Sequence, residues 1–393
     1  MTPIHTFMKE MEQISIMKIS SSVKYAIGVT LAAAMLAACS SGGSSSLAPS
    51  GVSANGHSTG VTQLSSLRSE ALTMPHFVQP NVHTDHGQSF MSPDKKKKKK
   101  GGLMYIGDEE TNDVYVYDYP KGTAAGTLTG FDEPYGECSD SKGDVYIANY
   151  GAGDAVEYAE GGTKILNTYT TSGSAPIGCS VDSKGDVSVT SFDPGEVTVF
   201  AGGDPSKGKT YTGSCTYLWT AGYDASGNLV AVGETSSGGR CYDGLAAGST
   251  GSSLEDLSFS GTIDFPGGSH WDGTYLGLGD QEANGTFDTG TWRVTLKGTT
   301  LTATGSEVAY TDTCYNTYTD VVNPTFTNGA SNISPDKKRK KKGPANTMVG
   351  ANLWCVDGGK SEVGYWADPA GGGKAGDLSG VSADPYGQAV VFK

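Results

Sequence analysis

Two features of the sequence predict an all-β fold. The chain of 393 residues contains 57 glycines and 20 tyrosines, and only 18% of its residues are charged. Frequent glycine between short runs of Tyr, Val and Thr is typical of many short strands joined by turns. The second feature is a ten-residue segment that returns at a constant interval. The same composition continues from Gly102 to the end of the chain, so we expect one β domain there, preceded by a tail.

The repeated segment predicts how the strands are grouped. "DSKGDVYIAN" at 140–149, "DSKGDVSVTS" at 182–191 and "DASGNLVAVG" at 224–233 are spaced by 42 residues, and "WDGTYLGLGD" at 271–280 continues the series loosely. Each unit contains four short strand segments, and a four-stranded repeat of about 40 residues is typical of a β-propeller blade. The innermost strands are expected near Pro134, Pro176, Leu218, Pro266, Pro324 and Pro385, which predicts a six-bladed β-propeller.

The two ends of the domain predict how the ring closes. The domain begins with "LMYIGD", which matches a second strand of the repeat, and ends with "PYGQAVVFK", which matches the innermost strand "PYGECSD" at Pro134. We therefore expect the C-terminal strand to pair into the first blade, which removes exposed sheet edges.

The repeat resembles NHL-type and YVTN-type propellers with six or seven blades over almost all of 102–393, and the architecture resembles that of gluconolactonase-like enzymes. It lacks the Trp-Asp ends of WD40 repeats. The resemblance implies a disc with a central channel, and the gluconolactonase-like enzymes hold a divalent ion at the channel mouth with Glu, Asn and Asp. No motif in this sequence matches those ligands.

The N-terminal segment, 1–39, predicts export. Lys18 and Lys24 precede the short apolar stretch 26–38, as in a secretory signal. The segment ends in "LAAC" and resembles the lipobox of a bacterial lipoprotein. This resemblance implies a lipid on Cys39 that anchors the chain to a bacterial membrane, in the periplasm at the outer membrane or on the cell surface. The alternative is an ordinary signal with an incidental cysteine, and Met17 is an alternative start. Residues 40–101 are expected to form a disordered Ser/Gly-rich tether with a polylysine end.

Two basic segments interrupt a chain whose net charge is −14. They consist of Lys95, Lys96, Lys97, Lys98, Lys99 and Lys100, and of Lys337, Lys338, Arg339, Lys340, Lys341 and Lys342. Both precede the second strand of a blade, in blades 1 and 6, which are neighbours in a closed ring. Turns on that face carry mostly lysines, whereas turns on the other face carry mostly Asp and Glu. We expect the basic face to contact anionic lipid or polysaccharide, and not nucleic acid specifically. The alternative is that both segments are solvated loops.

The cysteines other than Cys39 suit disulfide bonds in an exported chain, which we expect to be a monomer. The six form the candidate pairs Cys215–Cys241, Cys314–Cys355 and Cys138–Cys179. The alternative is free buried cysteines.

Few residues point to catalysis. The domain contains one histidine, His270, and no G-x-S-x-G motif. The densest group of carboxylates is "DEETND", with Asp108, Glu109, Glu110 and Asp113, a candidate calcium site or a solvated turn. Tyr135 and Tyr386, repeated in "PYG", are a sugar-stacking surface of the channel mouth or packing residues. The sequence favours a binding or scaffold module for a protein or carbohydrate ligand; the alternative is a calcium-dependent lactonase or hydrolase.

Overall fold

The computed structural model describes residues 88–92, 102–119, 122–271, 274–283, 288–311, 320–322, 351–357, 362–368, 372–373, 376–379 and 385–391. Residues Ser69–Lys393 belong to one compact unit. Cys39, both basic segments and Cys314 lie outside the described residues. Within the described ranges, no helix has the length and hydropathy needed to span a membrane.

The described residues form 28 strands and two short 3-10 turns, Ala201–Gly203 and Pro205–Lys207. The first eight strands are β1 (Phe90–Met91), β2 (Gly102–Asp108), β3 (Asp113–Tyr119), β4 (Thr123–Leu128), β5 (Pro134–Ser139), β6 (Val145–Asn149), β7 (Asp154–Tyr158) and β8 (Ile165–Thr170). The next eight are β9 (Ser174–Val181), β10 (Val187–Asp193), β11 (Glu196–Phe200), β12 (Gly208–Thr212), β13 (Tyr217–Tyr223), β14 (Leu229–Glu234), β15 (Arg240–Leu245) and β16 (Glu255–Asp256).

The remaining strands are β17 (Ser258–Phe259), β18 (Pro266–Trp271), β19 (Leu276–Ala283), β20 (Asp288–Lys297), β21 (Thr300–Ala303), β22 (Val308–Thr311), β23 (Asp320–Val322), β24 (Ala351–Asp357), β25 (Glu362–Asp368), β26 (Gly372–Gly373), β27 (Gly376–Ser379) and β28 (Pro385–Val391).

The strands group into mainly antiparallel sheets, in which most neighbouring strands are consecutive in the chain. Four-stranded sheets are formed by β5 to β8, by β9 to β12, by β13 to β16, and by β23, β24, β25 and β27. The N-terminal sheet has the order β1-β4-β3-β2-β28, and a larger sheet is built on β17-β21-β20-β19-β18 with β22 and β26 attached. The predicted all-β fold of four-stranded units is confirmed.

The repeated aspartate has the same structural role in three sheets. Asp140 Oδ1 accepts hydrogen bonds from the backbone N–H groups of Lys142 at 2.8 Å and Asp144 at 2.9 Å. Asp182 and Asp224 accept the equivalent bonds at 2.7 to 2.9 Å. The glycine at the fourth position of each turn has φ between 81° and 90°, which only glycine adopts without strain. The motif is therefore a hairpin turn between the first two strands of a sheet.

One strand from each of five sheets lies beside its counterpart in the next sheet. β28 contacts β5, β5 contacts β9, β9 contacts β13, and β13 contacts β18. We call these five the central strands. β28 also pairs with β2, with Tyr105 opposite Ala389. The buried apolar residues form layers between successive sheets, such as Val145 and Ile147 of β6 against Val114 and Val116 of β3.

Three parts differ from the prediction. The tether was expected to extend to residue 101, but Phe90 and Met91 form β1, which pairs with β4. Met91 packs on Gly126, where a Cβ would lie only 2.4 Å from Met91 Sδ. The strand that pairs with β24 is Asp320–Val322, which ends before Pro324. β20 is long enough to pair with both β21 and β22, so Val308–Thr311 enlarges this sheet beyond four strands.

Both disulfides within the described residues were predicted. Cys138–Cys179 connects the neighbouring central strands β5 and β9, with a sulfur–sulfur distance of 2.04 Å. Cys215–Cys241 connects the residues just before β13 to β15 of the same sheet. The pair Cys314–Cys355 lies outside the residues whose side chains are described, so it stays a prediction.

Candidate binding site

The predicted calcium ligands lie in the turn between β2 and β3. Asp108 is buried, and its Oδ1 accepts a hydrogen bond from the backbone N–H of Thr111 at 2.8 Å. Asp113 is also buried, whereas Glu110 is exposed. No group of three or more His, Cys, Asp or Glu side chains within the described ranges could hold a metal ion. Asp108 therefore holds the turn, and calcium binding by this group stays a prediction.

Other carboxylate and amide side chains connect neighbouring turns by hydrogen bonds. Asp280 is fully buried. It accepts hydrogen bonds from the backbone N–H groups of Asp264 at 2.7 Å and Phe265 at 2.9 Å. Burial raises the pKa of Asp280. Asn149 Oδ1 likewise accepts from the N–H of Asp132 at 2.7 Å. These acceptors connect the turn after the second strand of a sheet to the turn that leads into that sheet.

Three tyrosines from two sheets meet at the starts of the central strands. Tyr135 of β5 stacks on Tyr150, with ring centroids 4.8 Å apart, and contacts Tyr386 of β28 at 4.4 Å. The Tyr135 hydroxyl donates to Glu109 Oε2 at 3.5 Å. All three rings are partly exposed. We call Tyr135, Tyr150 and Tyr386 the tyrosine cluster.

The surroundings of the tyrosine cluster are acidic. Burial raises the pKa of Tyr135 well above its ordinary value, and Tyr386 and the carboxylates of Glu109 and Glu133 raise it further. Burial also raises the pKa of Tyr150, and Glu133, Glu109 and Asp193 add to that shift. Every ionisable neighbour that shifts these two hydroxyls favours the neutral form, as expected in a negative potential.

A second aromatic group lies beside Asp193. Phe192 stacks on Tyr217 at 5.3 Å and contacts Trp219 at 5.0 Å, and Trp219 contacts Phe265 at 5.0 Å. The Arg240 guanidinium lies 5.7 Å from the Phe265 ring. Aromatic rings therefore mark the starts of several central strands, a feature that the sequence signals only in the repeated "PYG".

Two buried polar side chains lie further along the strands that carry Tyr135 and Tyr386. Glu137 of β5 is 3% exposed and Gln388 of β28 is 2% exposed, and neither side chain has a hydrogen-bond partner within the described part of the chain. The Glu137 carboxyl lies against Gly107 and Gly387, where a Cβ would come within 2.4 to 2.5 Å of its oxygens. Burial raises the pKa of Glu137 well above its ordinary value; the Gly107 amide opposes this shift without forming a hydrogen bond of normal geometry.

His270 is a buried packing residue. It is 1% exposed on β18, and its ring occupies the space where Gly277 of β19 lacks a side chain. The site therefore consists of tyrosine rings and carboxylates at the starts of the central strands, with an acid and an amide buried beyond them. Such a surface can bind a ligand.

The fold and this site define a β-propeller-like protein with a candidate binding surface. No family model matches the chain, and no curated protein matches it. A solved nidogen/laminin complex contains a chain that is similar in fold, with 12% identity and a TM-score of 0.51, over 74% of this chain and 98% of that chain.

Two further solved structures resemble the chain more weakly. A functionally unknown protein from Desulfotomaculum acetoxidans DSM 771 has 8% identity and a TM-score of 0.48, over 74% of this chain and 99% of that chain. Hydrazine synthase from Kuenenia stuttgartiensis has 14% identity and a TM-score of 0.46, over 73% and 80%. At these identities, the similarity concerns the fold alone.

Proposed function

We propose that this chain is an exported, lipid-anchored β-propeller of six blades that works as a binding module. Three contacts support closure into a ring: β28 pairs with β2, β18 contacts β23, and β23 contacts β28. In this arrangement the central strands surround a channel, and the tyrosine cluster lies at its mouth. The proposal also includes a lipid on Cys39 and blades of the NHL or YVTN type.

The observation that carries the binding function is the tyrosine cluster with its carboxylates. Aromatic faces and anionic groups in a partly desolvated site attract cations. We therefore propose that the mouth binds a ligand with ammonium or guanidinium groups, as on a Lys/Arg-rich segment of a protein partner. Stacking of a sugar on Tyr135 is less favourable, because Tyr150 and Tyr386 already contact this ring.

The two basic segments have a different role in the proposal. The repeat assigns Lys95 to Lys100 and Lys337 to Lys342 to turns of the opposite face, and we propose that they contact an anionic membrane surface. A polybasic segment together with a lipid chain is sufficient for stable membrane association. The mouth then faces away from the membrane, where a protein partner can reach it.

Calorimetric titration of residues 40–393 with an oligolysine peptide and with a neutral oligosaccharide tests the binding function. We expect the peptide to bind, more weakly as salt rises, since screening acts on exposed charges. The double variant Glu109→Gln and Glu133→Gln should weaken binding about tenfold, which corresponds to about 1.4 kcal/mol.

Glu110→Gln is the control for the single variant Glu109→Gln, because it removes one negative charge from an exposed position of the same turn. Equal weakening by the control would indicate a diffuse charge effect and contradict a defined site. Binding of the oligosaccharide but not of the peptide would replace the cationic ligand by a carbohydrate. Binding of neither would overturn the function proposed for the mouth.

A further inference from the structure

Three aromatic rings that the proposed function leaves unused form a connected group. Phe192 lies near the end of β10, Trp219 near the start of β13, and Phe265 directly before β18. Trp219 contacts both other rings at 5.0 Å between centroids, at angles of 68° and 59°. All three rings are partly exposed. We call Phe192, Trp219 and Phe265 the aromatic row.

The aromatic row occupies the same positions of the repeat as the tyrosine cluster. Phe192 follows Tyr150 by 42 residues, and Trp219 follows Tyr135 by 84, which is twice that interval. In an antiparallel pair, the end of the second strand lies beside the start of the first, so both groups lie at corresponding edges of their sheets. Asp193 adjoins both groups, since it follows Phe192 in the chain and its charge acts on the Tyr150 hydroxyl.

The charges beside the two groups differ. Carboxylates act on the hydroxyls of the tyrosine cluster. At the aromatic row, the Arg240 guanidinium lies 5.7 Å from the Phe265 ring. Arg240 donates to Glu234 Oε1 at 2.5 Å and to the Asp264 carbonyl at 3.1 Å, and these bonds hold it in place. A second cation would therefore meet a fixed positive charge here, whereas an uncharged ring would not.

We infer that the aromatic row is a second subsite, which takes an aromatic side chain of the same partner segment whose Lys or Arg binds at the tyrosine cluster. This inference rests on the proposed function and specifies the partner as a segment in which a basic and an aromatic residue lie near each other. The continuity of the two groups through Asp193 favours a residue of that segment over a separate ligand. The rings of the row meet at steep angles, and an added ring gains edge-to-face contacts with them.

Calorimetric titration with two probe peptides tests the subsite, using residues 40–393, which contain the whole compact unit Ser69–Lys393. The probes are hexalysine and hexalysine followed by Gly-Ser-Gly-Trp. We expect the Trp-bearing peptide to bind about tenfold more tightly, because an aromatic contact is worth about 1 kcal/mol in addition to its buried area. The ratio of the two affinities should stay constant as salt weakens both, since screening acts on charges and not on ring contacts.

Two variants locate the gain. Phe192→Ala and Trp219→Leu should each remove most of it and leave the hexalysine affinity unchanged, which also shows that the variants are folded. The control is Phe90→Ala, which removes a ring that is 59% exposed on β1, in the N-terminal sheet, and should keep the gain. A gain that survives both variants would place the aromatic contact elsewhere and refute the subsite.

The remaining outcomes separate this inference from the proposed function. If hexalysine binds and the added Trp gives no gain, the aromatic row is not a subsite, although the proposed function stands. If neither peptide binds, the proposed function fails, and the subsite with it. If Arg in place of the peptide's Trp gives a larger gain that declines as salt rises, the row binds a cation, and the assignment to an aromatic side chain is overturned.

Discussion

The turn after a central strand and the strand itself differ in how strictly they repeat. The turn aspartates are Asp140, Asp182 and Asp224, and the residues three positions before them are Glu137, Cys179 and Ala221. The aspartates make the same two backbone hydrogen bonds each time. The preceding residues are a buried acid, half of a disulfide and a small packing residue. A repeated residue therefore marks a repeated structural task, and departures from the repeat indicate where a sheet differs from its neighbours.

Removal of residues 385–393 should have the largest effect on this comparison, because it deletes an entire central strand. β2 loses one of its two antiparallel partners, and Val390 and Val391 leave the core. We expect no cooperative thermal unfolding transition in circular dichroism, since a sheet edge and a core layer become exposed together. Addition of the 385–393 peptide should restore the transition. A truncated chain that melts at the original temperature would show that central strands matter less than the turns.

The two disulfides should differ slightly in effect, because they close chain segments of different length. Cys138→Ala with Cys179→Ala, and Cys215→Ala with Cys241→Ala, should each lower the free energy of unfolding by about 2–4 kcal/mol. The first pair should have an effect larger by about 0.4 kcal/mol, because its sequence separation is 41 residues rather than 26. Urea denaturation measures both. A clearly larger effect of the second pair would contradict the special weight given to contacts between central strands.

Glu137→Gln should change how stability depends on pH. The pKa of the folded state is raised, so the folded chain binds more protons than the unfolded chain between the two pKa values. The stability that neutral Glu137 contributes is therefore fully present below its unfolded pKa. It is lost as the pH rises toward the folded pKa, by up to about 1.4 kcal/mol per pH unit. We expect the variant to lose this slope and to be more stable than the unsubstituted chain at about pH 7.

Chemical denaturation at several pH values checks this expectation. The control is Glu110→Gln, which replaces an exposed carboxyl and should leave the slope in place. An unchanged slope in Glu137→Gln would mean that the buried carboxyl is already compensated in the folded chain.

The turn aspartates should give the smallest effects, equal in size at each repeat. Asp224→Ala removes the acceptor for the N–H groups of Ser226 and Asn228, and should lower the free energy of unfolding by about 1 kcal/mol. Asp224→Asn keeps a side-chain oxygen and should have little effect. If Asp182→Ala changes the free energy of unfolding by an amount that differs from this by more than about 1 kcal/mol, the turns are not equivalent. The turns would then vary between sheets as the central strands do.

Much of the fold was accessible to sequence reasoning because turns are local. Five consecutive residues from Asp140 contain the acceptor, the donors and the glycine that the turn needs, so the 42-residue repeat identified the start of the second strand in three sheets. The disulfide Cys138–Cys179 was predicted from the same alignment of repeats. β1 was not, because Phe90 and Met91 follow a Ser/Gly-rich segment and pair with a strand more than thirty residues later.

The sequence by itself determined the all-β class, the four-stranded units and the positions of the central strands at β5, β9, β13, β18 and β28, since these follow from short-range patterns that recur. The tertiary structure decided which side chains meet. Tyr135, Tyr150 and Tyr386 come together, and Glu137 reaches Gly107 and Gly387, only because β28 lies between β2 and β5. Contacts between distant segments depend on strand order and register, and a single residue carries no local signal of its partner in another sheet.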